Sequence, residues 1–201
     1  MILTEERVIP KLMNPRNGML REHIARYRFA GRFARGRVLD IACGVGYGTG
    51  VLIKESAAVE NILGIDIDKS SINYAKKHYS HPRADYLVKD ALSPSLPDEV
   101  GLFDTVISFE TIEHLEDDAM FVQNLHGLLK PDGTLIISTP FGRGRGIPCS
   151  NPFHVHQYRE EEFIDLLKCF GRVEMYYQLD EAIEKRVDDK KYYLMVAACK
   201  H

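Results

Sequence analysis

Three carboxylates, each closing a short apolar run, are the first residues in this chain that could do chemistry: Asp40 after Val38-Leu39, Asp66 after Ile62-Leu63-Gly64-Ile65, and Asp90 after Leu87-Val88-Lys89. Between the first two lies a glycine series, Gly44, Gly46 and Gly48. An apolar run that ends in an acid and breaks into alternating glycines reads as a strand feeding a tight turn. Glycine lets that backbone take positive φ and bring its N–H groups to a ligand with no Cβ in the way. At the start of a helix, such a turn suits a nucleoside or an anionic tail. Asp66, about twenty residues on, stands where a strand-end carboxylate holds both hydroxyls of a ribose. The spacing is G-x-G-x-G, with Asp40 four residues ahead of the first glycine, and departs from the G-x-G-x-x-G of dinucleotide folds.

A second group follows the run Phe103 to Phe109. Glu110, Glu113 and His114 lie three and four residues apart, so one helical turn would aim all three side chains the same way. Two carboxylates and an imidazole with no thiolate suit Mg²⁺ or Mn²⁺ better than structural zinc. A further ligand could come from His154 or His156 in Asn151-Pro152-Phe153-His154-Val155-His156. An ion held by Glu110, Glu113, His114 and His154 would lower the pKa of a bound hydroxyl and orient its oxygen, which makes His114, Glu110 and His154 the candidate catalytic residues. The plainer alternative has His114 capping the next helix, Glu113 solvated and the loop histidines bonded within their loop.

The elements that must position these groups alternate. Residues 19–34 have helical periodicity, with Met19, Leu20, Ile24 and Tyr27 apolar and Arg21, Arg26 and Arg28 basic. Strands are expected at about 38–41, 61–66, 84–88, 103–109 and 134–138, and helices after the glycine loop, from Asp68, from Asp117-Asp118 to Pro131, and from about Arg159 to Gly171. Two β-like runs, 172–179 and 192–199, flank the charged segment Asp180–Lys191, read as a solvated loop or frayed helical insert. Residues 140–157 are too long and too rich in Gly and Pro for a plain connector, which marks a functional loop. Strands alternating with helices predict a three-layer α/β fold, Rossmann-like, with ligand at the C-terminal strand ends.

At 201 residues and 45% hydrophobic content, one domain over 1–201 is expected, with 1–36 as an N-terminal lid region and 140–157 as an active-site loop. A net charge of -3 gives no general attraction for a phosphate backbone, so a nucleic-acid partner is disfavoured. Cys43, Cys149, Cys169 and Cys199 lack paired spacing, which fits a reducing, cytoplasmic compartment. The N-terminus lacks an apolar leader and no run has the length to span a bilayer, so no membrane partner is expected.

Taken in order, Asp40-Ile41-Ala42-Cys43-Gly44-Val45-Gly46-Tyr47-Gly48, Asp66, Asp90-Ala91-Leu92 and Leu129-Lys130-Pro131-Asp132-Gly133 resemble the pattern of class I S-adenosylmethionine-dependent methyltransferases over roughly residues 20–200, with Asp132 replacing a glycine. Glu110-Thr111-Ile112-Glu113-His114 is similar to the E-x-x-E-H segment of the ubiquinone-pathway O-methyltransferases and of the small-RNA 2′-O-methyltransferases, which use a divalent cation. The resemblance implies seven strands, the last antiparallel, and S-adenosyl-L-methionine as cofactor. It also implies that Asp66, with Ile67 beside it, holds the ribose, that Ala42, Gly44 and Gly46 pass against the amino-acid part, and that Asp40 lies near its ammonium. Asp90, Ala91 and Leu92 would meet the adenine, Phe109 and Glu110 would line the sulfonium, and Arg26 or Tyr27 would meet the carboxylate. The expected reaction is methyl transfer to a small-molecule hydroxyl by a monomer or homodimer. N-methylation, RNA 2′-O-methylation, an NAD-dependent oxidoreductase and a non-catalytic cofactor-binding regulator are the alternatives.

Overall fold

Five apolar runs lie side by side in parallel: β3 (Ala84–Val88), β2 (Val59–Asp66), β1 (Gly36–Ile41), β4 (Phe103–Ser108) and β5 (Leu129–Pro140), in that spatial order. The structure is a computed structural model that describes residues 8–201; the first seven residues of the expected lid region lie outside the described part. Beyond β5 come β8 (Leu194–Lys200), antiparallel to it, then β6 (Arg172–Leu179) and β7 (Ala182–Glu184). The helices α2 (Tyr47–Glu55), α3 (Lys69–His78), α4 (Leu96–Val100) and α5 (Asp118–Gly127) make the crossovers, α1 (Gly18–Gly31) precedes β1, and α6 (Glu160–Leu166) precedes β6.

Successive strand residues point to opposite faces, and both faces are covered, which is why these strands read as continuous apolar runs. Leu39, Ile65, Val106 and Leu135 pack with Phe121 and Leu125 of α5 and Phe163 of α6. Val38, Ile62, Ile107 and Ile136 face the other way and pack with Phe29 of α1 and Leu52 of α2.

Three boundaries differ from expectation. Among the described residues the sheet has eight strands, because Ala182–Glu184 folds back on β6 with Leu179 opposite Ala182. Part of the charged segment is therefore strand, with Ile183 packed on the α1 side of the core. Helix α5 stops at Gly127, short of Pro131, since Leu129 pairs with Phe103 in the sheet. Helix α6 ends at Leu166, and Phe170 is buried from the turn that follows. The strand expected to be antiparallel is β8.

The chain moves from β1 outward to β3, then returns to lay β4 on the other side of β1. That reversal opens a crevice at the C-terminal strand ends between β1 and β4.

Candidate active site

A cavity of about 530 Å³ occupies this crevice. Its walls are Ala42–Gly44 after β1, Asp66 and Ile67 at the end of β2, Phe109–Thr111 and Glu113–Leu115 after β4, Met19, His23 and Tyr27 of α1, and His154 of the long loop. A second cavity of about 580 Å³ lies near Arg37, Lys76 and Glu99 against the edge strand β3, away from the acids at the strand ends.

The turn after β1 is built from left-handed residues: Ala42 at φ 58°, Gly44 at φ 56° and Gly46 at φ 80°. Open space surrounds the point where a Cβ would stand on Gly44, so its backbone faces the cavity bare. At Gly46 a Cβ would meet Ala75 Cβ and Tyr86 Cε1 at 2.7 Å; this glycine is absent from the cavity wall and serves to seat the turn on α3 and β3. The Gly44 N–H donates to Asp66 Oδ2 and the Asp68 N–H to Asp66 Oδ1, both at 2.8 Å. Each carboxylate oxygen keeps lone pairs for a further donor, which is the chemistry a vicinal diol needs.

Asp40 is 1% exposed and does not reach the cavity wall. The Tyr27 hydroxyl lies 3.1 Å from both its oxygens. Burial pushes its pKa up to about 7, with the Tyr27 hydrogen bond pulling down and Asp66 pushing up. Arg26 is 2% exposed and points to β6, donating to Gln178 Oε1 at 2.8 Å. It lies outside the cavity wall, while its neighbour Tyr27 lines it. Asp90 Oδ1 accepts from the Leu92 N–H at 2.9 Å, and Asn124 holds the carbonyls of Ala91 and Ser93. Asp90, Ala91 and Leu92 stand outside this cavity's wall.

His23 was missed from the sequence, although it lies four residues from Tyr27 on one helical stripe. Its Nδ1 is 2.9 Å from the Tyr47 hydroxyl. Burial and the nearby Arg26 charge hold its pKa well below the usual histidine value, so the ring is neutral. A Tyr47 proton donated to Nδ1 would leave Nε2–H as the remaining donor of His23, which lines the cavity.

After β4 the chain makes a left-handed turn at Glu110, φ 49°, then one short 3-10 turn, Ile112–His114. Glu110 Oε1 accepts from Ser138 Oγ at 2.8 Å. Glu113 is 1% exposed; Thr139 Oγ1 donates to its Oε2 at 3.1 Å, while its buried Oε1 has no hydrogen-bond partner. Burial, with Glu110 nearby, pushes its pKa well up. His114 Nδ1 donates to the Phe153 carbonyl at 2.8 Å, and its Nε2 lies 4.0 Å from Glu113 Oε1. Ligand atoms of Glu113, His114 and His154 all lie within 4.8 Å of one another. Glu110 is outside this group. His156 turns instead to the Glu116 carbonyl, 3.2 Å away. The cap of α5 is Asp117, not His114.

A model described as a methyltransferase domain matches residues 39–137. A protein of Mycolicibacterium smegmatis named "probable S-adenosylmethionine-dependent methyltransferase" is 34% identical over 173 residues, covering 84% of this chain and 64% of that protein. The ubiquinone biosynthesis O-methyltransferase of Actinobacillus pleuropneumoniae is 31% identical over 133 residues, covering 64% of this chain and 53% of that protein. The chain thus spans between half and two thirds of the length of these relatives. The N-methyltransferase NodS of Bradyrhizobium japonicum, solved with S-adenosyl-L-homocysteine, shares the fold with a TM-score of 0.63 at 20% identity, covering 94% of this chain and 88% of that one.

Proposed function

The chain belongs to the class I S-adenosylmethionine-dependent methyltransferases, and from that premise we propose that residues 1–201 act as one domain transferring a methyl group to a hydroxyl oxygen of a small-molecule acceptor, aided by a divalent cation. The donor set suits the cofactor. Asp66, aimed by two backbone N–H groups, would hold the ribose hydroxyls, and Gly44 leaves room for a close backbone approach. The His23 Nε2–H, backed by Tyr47, would meet the amino-acid tail in the place expected of Arg26. Bound S-adenosylmethionine supplies an electrophilic methyl on a sulfonium, so the protein's task is to align the acceptor and exclude water. Phe109 and Tyr27, 8% and 4% exposed with rings 5.1 Å apart edge to face, give that part of the wall a dry, rigid surface.

The observation that carries the acceptor reading is Glu113. A buried carboxylate oxygen with no hydrogen-bond partner costs several kcal/mol if charged, unless an opposite charge or a proton compensates it. His114 and His154 bring two imidazoles to the same point. One carboxylate and two imidazoles suit Mn²⁺, or Mg²⁺ with more retained water. Such an ion would favour the ionised form of an acceptor hydroxyl and orient its oxygen. The ubiquinone-pathway relative acts on oxygen by its name, which agrees with this chemistry.

Metal analysis of protein purified without chelator, together with turnover of hydroxylated metabolites before and after EDTA, tests the reading. A bound divalent ion and at least a roughly tenfold loss in His114→Ala are expected. A metal-free protein indifferent to EDTA would leave methyl transfer without this cation and favour an amine acceptor.

A further inference from the structure

Asp118 resembles a helix-start acid from its sequence position, but its neighbour Asp117 does the capping, accepting from the Met120 N–H at 2.9 Å. Asp118 turns inward and is 1% exposed. A buried carboxylate must be compensated, and here both partners come from residues 141–158. Arg145 Nη2 donates to Oδ1 at 2.7 Å from the middle of that loop. The buried Tyr158 hydroxyl donates to Oδ2 at 2.8 Å from its end, and His156 Nε2 lies 3.9 Å from the same oxygen. Asp118 itself does not line the cavity.

The loop also meets the segment that carries Glu113 and His114. The N–H groups of Val155 and His156 both donate to the Glu113 carbonyl, at 2.9 and 3.0 Å, and the Phe153 carbonyl accepts from His114. His154 sits between these contacts. Because Asp118 lies four residues after His114, anchoring the loop to Asp118 sets where His154 falls against Glu113 and His114.

We infer that Asp118 is a positioning residue: through Arg145 and Tyr158 it latches the loop so that His154 completes the group formed with Glu113 and His114. The inference rests on the cation reading for its consequence but not for its geometry. Its elements are a charge-assisted pair reachable from solvent, since the Arg145 side chain is 44% exposed, and a buried hydroxyl that fixes the loop's end.

Hydrogen exchange resolved at single amides, with Mn²⁺ titration followed by electron paramagnetic resonance, tests it in the full chain. In Asp118→Asn and in Arg145→Gln, exchange at Val155 and His156 should quicken relative to residues 41–46, and Mn²⁺ affinity should fall roughly tenfold, as for other residues that orient metal ligands. Affinity for S-adenosylhomocysteine should not change. Arg145→Gln decides alone if Asp118→Asn fails to fold, because the arginine is exposed. Unchanged exchange at Val155 and His156 in the folded variants, or a rise no greater than that at 41–46, overturns the latch. Selective quickening in a protein that binds no Mn²⁺ even as wild type supports the latch and removes the cation reading.

Discussion

The Gly44 N–H donates to Asp66 Oδ2 at 2.8 Å, so the loop after β1 and the end of β2 are fixed to each other by the protein's own backbone. A carboxylate already aimed by backbone loses little freedom when a diol arrives, and preorganised bonds of this kind contribute more of their strength to affinity. Asp66→Ala should therefore weaken S-adenosylhomocysteine binding by about 2–3 kcal/mol, roughly 30- to 150-fold. Calorimetry on a variant with wild-type circular dichroism is the check, and unchanged affinity would place the ribose elsewhere.

Two glycines of one turn should respond in opposite ways to the same change. Gly44→Ala puts a methyl into open space at φ 56°, costing about 1 kcal/mol of stability but blocking the approach of a ligand. Gly46→Ala adds overlap with Ala75 and Tyr86 at 2.7 Å and should cost about 2–4 kcal/mol. Urea unfolding and cofactor titration on both variants separate the effects. Equal losses of affinity at equal stability would contradict this division.

His23→Ala should lower affinity for S-adenosylhomocysteine by about 1 kcal/mol, one neutral hydrogen bond, and leave 5′-methylthioadenosine, which lacks the amino-acid tail, unaffected. Equal loss for both ligands would mean that His23 only supports the shape of the cavity.

Asp40 gives a pH dependence of defined sign. Its folded pKa of about 7 lies above that of an unfolded aspartate, so between about 4 and 7 the native state holds a proton that the unfolded chain has released. The contribution of this group to stability is full below that window and is lost as pH rises through 7. Compared with Asp40→Asn, ligand-free wild-type protein should lose urea resistance between about pH 4 and 7 and little more above it. Parallel curves for the two proteins would show that Asp40 is already ionised.

The alternation of apolar runs and helix signals was legible, because strands covered on both faces carry few polar interruptions and Asp68 and Asp117 cap helices by local rules. The place of Asp66 on the cavity wall was legible for the same reason: a strand end and its acid are adjacent in sequence. The phase of α1 was not. Arg26 and Tyr27 are consecutive and point a large angle apart, and only the position of β6 decides which of them, with His23, turns to the cavity. Glu110 was read as part of a helical turn, whereas its left-handed backbone sends its carboxylate to Ser138 and leaves it outside the group of Glu113, His114 and His154. A non-glycine at positive φ leaves little trace in composition. The inward turn of Asp118 was equally hidden, since its partners Arg145 and Tyr158 come from 27 and 40 residues further along.

The bond from Arg26 to Gln178 joins residues 152 positions apart, and Gln178 Nε2 also reaches the Glu22 carbonyl. Residues 19–27 supply one wall of the cavity, and besides Tyr27 bonding Asp40 they have a second anchor on β6, which depends on β8 pairing between β5 and β6. During synthesis the glycine loop and both strand-end acids emerge long before that anchor exists. A ribosome-bound chain that has released only its first two thirds carries the motif residues and this wall, but not the β6 residue that Arg26 and the Glu22 carbonyl bond. High-affinity cofactor binding is thus a late event in the life of the chain, and S-adenosylhomocysteine should protect against protease only after β8 has been added to the sheet.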